Sequence, residues 1–223
     1  MQYIEYNNLV DRTCDFSGQW PSGPWDSEPD KIQYQDEDTG LPCLIKRNSC
    51  GILCGYVGVP KEHPSYGKHY DEVDVEVHGG LTFSDKCSGD ETGICHIVDH
   101  GENDDVWWLG FDCGHAGDLT PAFLYMIKKY PETVHYTKEK YRDIKYVKKQ
   151  NANLAKQLKT MSQRRMWIRQ RIFLVIHKIK GGITWLIKRH QSWEYRQQIR
   201  QRLFLKNLPL LANRSQSLSL HFL

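Results

Sequence analysis

The sequence lacks a long apolar run and the short motifs that mark several enzyme classes. No stretch of about 18 apolar residues exists, which excludes an ordinary transmembrane helix. A glycine-rich phosphate loop ending in Lys-Ser or Lys-Thr and a dinucleotide fingerprint are both missing. A Gly-x-Ser-x-Gly elbow is missing too, which argues against an α/β-hydrolase nucleophile. The first ten residues include Glu5, Asn7 and Asn8 where a signal peptide has an apolar core, so we expect a protein that is not secreted.

Acidic residues almost disappear after residue 158. Residues 1–158 hold 16 Lys+Arg and 26 Asp+Glu, whereas residues 159–223 hold 14 Lys+Arg and a single acid, Glu194. This asymmetry predicts a compact acidic α+β domain over residues 1–158 and a basic, aromatic-rich extension over residues 159–223. Because the acidic domain repels phosphates, we expect no nucleic-acid binding by residues 1–158.

Four interpretations of the basic extension stay open. An amphipathic cationic segment would bind an anionic membrane surface. Interleaved Arg and aromatic residues would grip a nucleic-acid backbone and stack on its bases. The extension could also be a plain packed helix. Finally, the abrupt loss of acids is typical of non-native sequence, such as an altered reading frame.

Closely spaced cysteine pairs of the kind found in structural zinc sites are also missing. The seven cysteines are Cys14, Cys43, Cys50, Cys54, Cys87, Cys95 and Cys113. The number is odd and no secretory signal precedes them, so the simplest interpretation is a cytosolic protein with reduced thiols. Zinc binding by these cysteines is disfavoured compared with small buried thiols.

Apolar patterning predicts mostly strands first and helices later. The predicted strands are Lys31–Gln35 and Leu41–Lys46 as a hairpin, then 51–59, 73–77, 94–98 and 106–111. Helices are predicted at Pro121–Tyr130, with Thr120 as N-cap, and at Tyr136–Leu158, capped by Thr137. The fold class is therefore α+β: a mostly antiparallel sheet covered by two C-terminal helices, plus a basic helical or irregular tail.

The densest group of chemically competent residues follows the buried strand 106–111. Asp112, His115 and Asp118 are spaced three apart among glycines, where a strand end leads into a loop. Two carboxylates and an imidazole suit a divalent metal or a general base with an orienting partner. They are also ordinary turn residues, with Asp118 as a cap and His115 bonded to a carbonyl. Both interpretations stay open.

A second candidate is His78, which precedes Gly79 and Gly80 at the end of a predicted strand. The glycines would let a ligand approach the backbone, or they would simply form a turn. If His78 lies beside His115, the two segments predict one site with four candidate catalytic and metal-binding residues: His78, Asp112, His115 and Asp118.

Several blocks resemble a widespread family of small proteins encoded by tailed phages and prophages. They are Gly-Pro-Trp-Asp at 23–26, His-Gly-Gly-Leu-Thr-Phe at 78–83, Trp-Trp-Leu-Gly-Phe-Asp-Cys-Gly-His-Ala-Gly-Asp at 107–118 and Tyr-Arg-Asp-Ile-Lys-Tyr-Val at 141–147. The resemblance runs from about residue 20 to 158, and the basic tail departs from it. It implies a phage accessory protein acting in the host cytoplasm, and it assigns no reaction and no catalytic residue.

Two functions therefore stay open. The first is a binding module that captures a host protein or a small molecule, which the aromatic content and the lack of a complete catalytic signature favour. The second is a hydrolase, of phosphoesters, that uses a divalent metal held near His78, Asp112, His115 and Asp118.

Overall fold

The computed structural model describes residues 3–14, 18–87, 93–97, 105–132, 138–167 and 169–172, and the single positions 193, 196, 197 and 200. The chain divides into two compact units, residues 1–165 and 166–223. The strands are β1 Ile4–Tyr6, β2 Thr13–Cys14, β3 Gly18–Gln19, β4 Lys31–Gln35, β5 Pro42–Arg47, β6 Leu53–Pro60, β7 Phe83–Lys86, β8 Val106–Asp112, β9 Asp118–Leu119 and β10 Lys140–Tyr141. Helix α1 spans Pro121–Lys129, and helix α2 spans residues 144–167 and 169–172. Two short 3-10 helices lie at Pro24–Ser27 and Tyr70–Glu72.

Six strands form one antiparallel sheet in the order β1-β4-β5-β6-β8-β7. The predicted hairpin is confirmed, since β4 and β5 pair with Tyr34 opposite Cys43. The buried strand predicted at 106–111 is also confirmed, as β8 lies between β6 and β7. Two small pairs lie apart from this sheet: β2 with β3, and β9 with β10 in parallel. The prediction of an α+β fold with a mostly antiparallel sheet is confirmed.

Helix α2 covers one face of the sheet. Its residues Val147, Leu154 and Leu158 are fully buried in a core shared with β4, β5, β6 and β8. The opposite face carries a second core around Tyr56 and Trp108. Residues 159–167 continue the same helix into the basic part of the sequence.

Helix α1 has the predicted cap, but it packs against the N-terminal segment and not against the sheet. The hydroxyl of Thr120 accepts a hydrogen bond of 3.1 Å from the Phe123 amide. Apolar side chains of α1 pack against Trp20 and Trp25, which are 7% and 0% exposed. The two tryptophans thus fasten the turn-rich N-terminal segment to the domain, and the cover of the sheet comes from α2.

The predicted start of the second helix is wrong. Residues 138–143 are not helical, and Lys140–Tyr141 form strand β10. The cap is Asp143, whose carboxylate accepts a 2.7 Å hydrogen bond from the Tyr146 amide. A second carboxylate, that of Glu28, accepts a 3.1 Å hydrogen bond from the Ile144 amide at the start of the helix. The predicted cap Thr137 lies outside the described residues.

The predicted strand at 73–77 is also wrong, although its burial pattern is correct. Val73, Val75 and Val77 pack against the core. The backbone bonds to a helix and not to a neighbouring strand: the Glu76 amide donates to Gln157 at 2.9 Å, and Gln157 donates back to the Glu76 carbonyl at 2.8 Å. The alternation of valines and acids therefore indicated correctly which side chains are buried. The peptide groups of Glu76, however, bond to the side-chain amide of Gln157 and not to a neighbouring strand.

The predicted strand at 94–98 is reduced to a single bridge at Ile94. Buried side chains of β4 bind its backbone: Lys31 donates to the Cys95 carbonyl at 2.8 Å, and Gln33 exchanges two hydrogen bonds with Ile97. Val98 lies outside the described residues. The strand prediction failed because these polar side chains satisfy the peptide groups.

Cys87 and Cys95 form a disulfide with their Cα atoms 4.7 Å apart. The expectation of reduced thiols is therefore wrong for this pair. Cys43, Cys50, Cys54 and Cys113 are free, and burial raises the thiol pKa of Cys54 to about 12.

A buried ionic cluster ties the N-terminal segment to the sheet. Arg47 is fully buried and donates to Glu28 at 2.8 Å, while its Nε lies 3.6 Å from the buried Asp30. Arg47 also donates to the hydroxyl of Tyr141, at 3.1 Å. Removal of Arg47 would leave Glu28 without this cation and Asp30 with only the partly exposed Arg12, 3.1 Å away.

Candidate functional site

Three segments meet beside the end of β8. They are the turn around His78, the loop 113–118 that leads into β9, and the start of α2. The parallel pairing of β9 with β10 sets Asp118 opposite Lys140, which brings Arg142 alongside. Residues far apart in sequence therefore share one small polar cluster.

Asp118 is the centre of this cluster, and its side chain is only 1% exposed. One carboxylate oxygen accepts a 2.7 Å hydrogen bond from Nε of Arg142. The other oxygen lies 2.7 Å from Nε2 of His78 and accepts a 3.1 Å hydrogen bond from the His115 amide. A buried carboxylate with this many donors has its lone pairs well satisfied.

The electrostatics keep Asp118 ionised. Burial raises its pKa, but the hydrogen bonds from Arg142 and His78 outweigh burial and hold the pKa below its usual value. The same contact raises the pKa of Arg142. The cluster therefore holds a fixed negative charge at its centre at neutral pH.

His78 is oriented at both ring nitrogens. Its Nε2 faces Asp118, and its Nδ1 lies 3.0 Å from the hydroxyl of Tyr146. A neutral ring with the proton on Nε2 satisfies both contacts, because the carboxylate can only accept. The His78 amide also donates to Gln150 at 3.2 Å. Two residues one turn apart on α2 thus set the position of His78.

His115 is the more open imidazole, with its side chain 34% exposed. Its ring centroid lies 5.6 Å from that of His78. Its Nδ1 is buried and has no hydrogen-bond partner among the described residues. Asp112 places a carboxylate oxygen 3.6 Å from this nitrogen, which is too far for a hydrogen bond. His115 therefore keeps unused donor or ligand capacity.

Asp112 lies at the edge of the cluster. Its two oxygens accept 2.9 Å hydrogen bonds from the Thr82 hydroxyl and the Gly114 amide. The ligand atoms of His78, His115 and Asp118 lie within 4.8 Å of one another, and Asp112 is not part of that set. The structure thus brings three of the four predicted site residues together and places the fourth beside His115.

Gly79 is required by this arrangement. It adopts a φ of 66°, in the left-handed region, and a Cβ atom added there would lie 2.2 Å from Cε1 of His115. Any side chain at this position would push the His115 ring away. The turn that follows His78 therefore sets how closely the two imidazoles approach.

Arg142, Tyr146 and Gln150 were not predicted as site residues. Tyr146 and Gln150 are four residues apart on α2, so they share a face of the helix and both reach His78. Polar residues at this spacing beside an apolar stripe were the available signal. No such sequence signal was available for Arg142, because this residue precedes the helix and its position depends on the pairing of β10 with β9.

The cluster permits two kinds of chemistry. Two imidazoles and one carboxylate are a common ligand set for Zn²⁺ and related ions, with bonds of about 2 Å. An ion here would have to open the 2.7 Å contact between His78 and Asp118. Without an ion, His115 beside oriented acids is a candidate general base. Burial raises the pKa of the nearby Cys113, which argues against a thiolate ligand.

Comparisons of the chain with protein-family models, curated proteins and solved structures found no match. Among the described residues, no helix combines the length and the apolar character needed to cross a membrane.

Proposed function

We propose that the protein is a divalent-metal-dependent hydrolase of phosphoesters whose ion is held by His78, His115 and Asp118. One observation carries the proposal: ligand atoms of these three side chains, from separate segments, lie within 4.8 Å of one another. The buried Nδ1 of His115 has no hydrogen-bond partner among the described residues, so its lone pair or proton is not committed to another side chain. Three protein ligands leave a position for water, as in catalytic zinc sites.

The neighbouring residues have supporting roles in this proposal. His78, His115 and Asp118 would hold the ion, and a divalent ion bound there would supply an activated water for attack on phosphorus, with the leaving oxygen protonated by solvent. Arg142 lies beside Asp118 and would offset negative charge on the phosphoryl oxygens.

Metal analysis tests this proposal. After dialysis against Zn²⁺ or Mn²⁺, we expect about one ion per chain in the wild type and its loss in His115→Ala. His69→Ala is the matched control, because that exposed imidazole pairs with Asp71 and not with the cluster. Hydrolysis of bis(4-nitrophenyl) phosphate should follow the metal content. Metal-free wild-type protein, with His115→Ala indistinguishable from it, contradicts the proposal.

A binding module for a host protein or a small molecule is the second candidate. It is favoured by the hydrogen bonds that already fill both oxygens of Asp118, since the network is complete there without an ion. In that case the cluster fixes a polar surface and carries out no reaction. The metal-free outcome above would favour this function over hydrolysis.

The phage or prophage origin and action in a host cytoplasm are part of the proposal. They are supported by the ordered sequence blocks, which include His78, His115, Asp118 and Arg142. Disulfides are rare in a reducing cytosol, so the Cys87–Cys95 bond provides a test of the compartment. Free thiols can be trapped by alkylation while the protein is isolated from cells with a reducing cytoplasm. If the cytoplasmic assignment is correct, both Cys87 and Cys95 should be alkylated.

For the acidic part of the chain, the proposal includes no nucleic-acid partner, because its net negative charge repels the many closely spaced phosphates of a nucleic-acid backbone. The basic part is proposed to contact an anionic membrane or a nucleic acid. Met166, Trp167 and Ile172 are more than half exposed, and the Arg171 guanidinium lies 4.0 Å from the Trp167 ring. A salt titration on anionic vesicles and on DNA separates the two partners.

A further inference from the structure

A second possible ligand site lies in a cleft of about 680 Å³ between the β4–β5 turn and helix α2. Tyr3 and Tyr34 provide aromatic walls, and the turn provides a run of three carboxylates, Asp36, Glu37 and Asp38. Lys148 from α2 is the only basic residue that lines the cleft among the described residues. None of these residues belongs to the His78–Asp118 cluster.

The ammonium group of Lys148 contacts the aromatic rings of the cleft. Its ammonium lies 4.8 Å from the centre of the Tyr3 ring and 5.6 Å from that of Tyr34. It also donates a 3.2 Å hydrogen bond to the Tyr3 hydroxyl. Aromatic faces attract ammonium groups through the ring quadrupole. An internal cation therefore already occupies the position that an external ammonium would take.

The walls of the cleft are held in place by buried or bonded groups. Asn151 is fully buried and donates to the Tyr34 hydroxyl at 3.1 Å. Asp36 bonds to the amide and hydroxyl of Thr39 within the turn. Lys159 of α2 donates to the Thr39 carbonyl at 2.9 Å. The Tyr34 side of the cleft and the turn therefore need little ordering when they bind a ligand, whereas Tyr3 is 54% exposed and contacts Lys148.

The carboxylates at the rim remain available. Glu37 and Asp38 are exposed, and neither forms an ion pair with another described residue. Asp36 is committed to its own turn, so two free negative charges face a cleft that contains one ammonium. The charge balance therefore suits a ligand with more than one positive charge.

We propose that this cleft binds a linear di- or polyamine, with one ammonium between the rings of Tyr3 and Tyr34 and a second at Glu37 and Asp38. Lys148 is then an internal competitor that the ligand displaces. The amine site does not depend on the proposed hydrolase, because it uses a different face of α2 and different residues.

Calorimetric titration of the full chain with spermidine and putrescine tests the proposal. We expect Lys148→Met to strengthen spermidine binding about threefold, because the competitor is removed, and Tyr34→Leu to weaken it about tenfold. Asp38→Asn, an exposed change that leaves the fold intact, should weaken it about threefold. Tyr130→Leu, at an exposed tyrosine that does not line the cleft, is the control and should match the wild type.

Two outcomes overturn the proposal. The first is binding of Mg²⁺ at the same ionic strength as tightly as spermidine, which would show attraction by net charge alone. The second is affinity unchanged by both Lys148→Met and Asp38→Asn. Tyr3→Leu removes the other ring of the cleft at a 54% exposed position, so it replaces Tyr34→Leu if that variant does not fold. His115→Ala should bind spermidine like the wild type, whatever its metal content.

Discussion

Two buried carboxylates, Asp30 and Asp118, each lie against an arginine, yet their surroundings differ. Asp30 faces Arg47, and both side chains are fully buried. Asp118 is equally buried, but its partners Arg142 and His115 are 23% and 34% exposed. Solvent reaches the first cluster through the Arg12 guanidinium, which is 29% exposed and lies 3.1 Å from Asp30, whereas the second cluster also opens to solvent through a histidine. A buried ion pair alone therefore does not indicate function, while a buried charge reached through a partly exposed imidazole does.

The largest expected effect is in the Asp30 cluster. Arg47→Met should lower the free energy of unfolding by about 4 kcal/mol, because Glu28 loses its cation and the buried Asp30 keeps only the partly exposed Arg12. Chemical denaturation at pH 7 measures this loss. Arg164→Met, at an exposed arginine, is the control and should stay within about 0.5 kcal/mol of the wild type. A loss below about 1 kcal/mol for Arg47→Met would show that the cluster contributes little to stability.

A smaller effect is expected in the open cluster. Asp118→Asn should cost about 3 kcal/mol at pH 7, since Arg142 and His78 lose a charged acceptor. The pKa of Asp118 is below its usual value of 3.8 in the folded protein, so its stabilisation is present above that pH and is lost as the pH falls through the folded value. The gap between wild type and variant should therefore narrow below about pH 4 in denaturation series.

The comparison with His115 sharpens this result. His115→Ala removes a partly exposed ring without stranding a charge, so it should change stability far less than Asp118→Asn does. If the two variants destabilise the protein equally, the open cluster is structural throughout, and the contrast with Asp30 disappears.

The smallest effect concerns a buried histidine outside both clusters. Nε2 of His63 faces the Leu158 carbonyl at 2.8 Å, and its Nδ1 accepts from the Ser65 amide at 3.0 Å. Burial lowers the pKa of His63 below its usual 6.5. The unfolded chain then binds the proton more readily, so stability should decrease as the pH falls below 6.5.

His63→Gln should flatten that decrease between pH 6.5 and 5 in thermal unfolding followed by circular dichroism. His69→Gln, at an exposed histidine, should keep it. An unchanged slope in His63→Gln would contradict the assignment of this pH dependence to His63.

The strands that were predicted correctly are those whose peptide groups bond to a neighbouring strand. The β4–β5 hairpin and strand β8 belong to this group. The Thr120 cap was also predicted correctly, because a hydroxyl residue directly before a proline is a local sign of a helix start. The segments around Glu76 and Ile97 were mispredicted because glutamines and a lysine bind their peptide groups. A periodicity argument detects which residues are buried, and it cannot detect which groups satisfy the backbone.

The site was predictable to a similar extent. Glycines beside His78 and after Asp112 indicated two turns with polar side chains, and both turns reach the cluster. Arg142 was not predictable, because its place depends on the two-residue pairing of β9 with β10. Tyr146 belongs to a helix whose start was predicted too early, so the contact between Tyr146 and His78 could not be predicted.

The contacts that join the three segments of the cluster also bear on when it forms. Arg142 and Asp118 are separated by 24 residues, His78 and Asp118 by 40, and His78 and Gln150 by 72. Closing such long loops costs entropy before the contacts can compensate for it. We therefore expect the cluster to assemble late in folding, after the β4–β5 hairpin. Partly folded chains would then lack the site, so any activity would be confined to chains whose folding is complete.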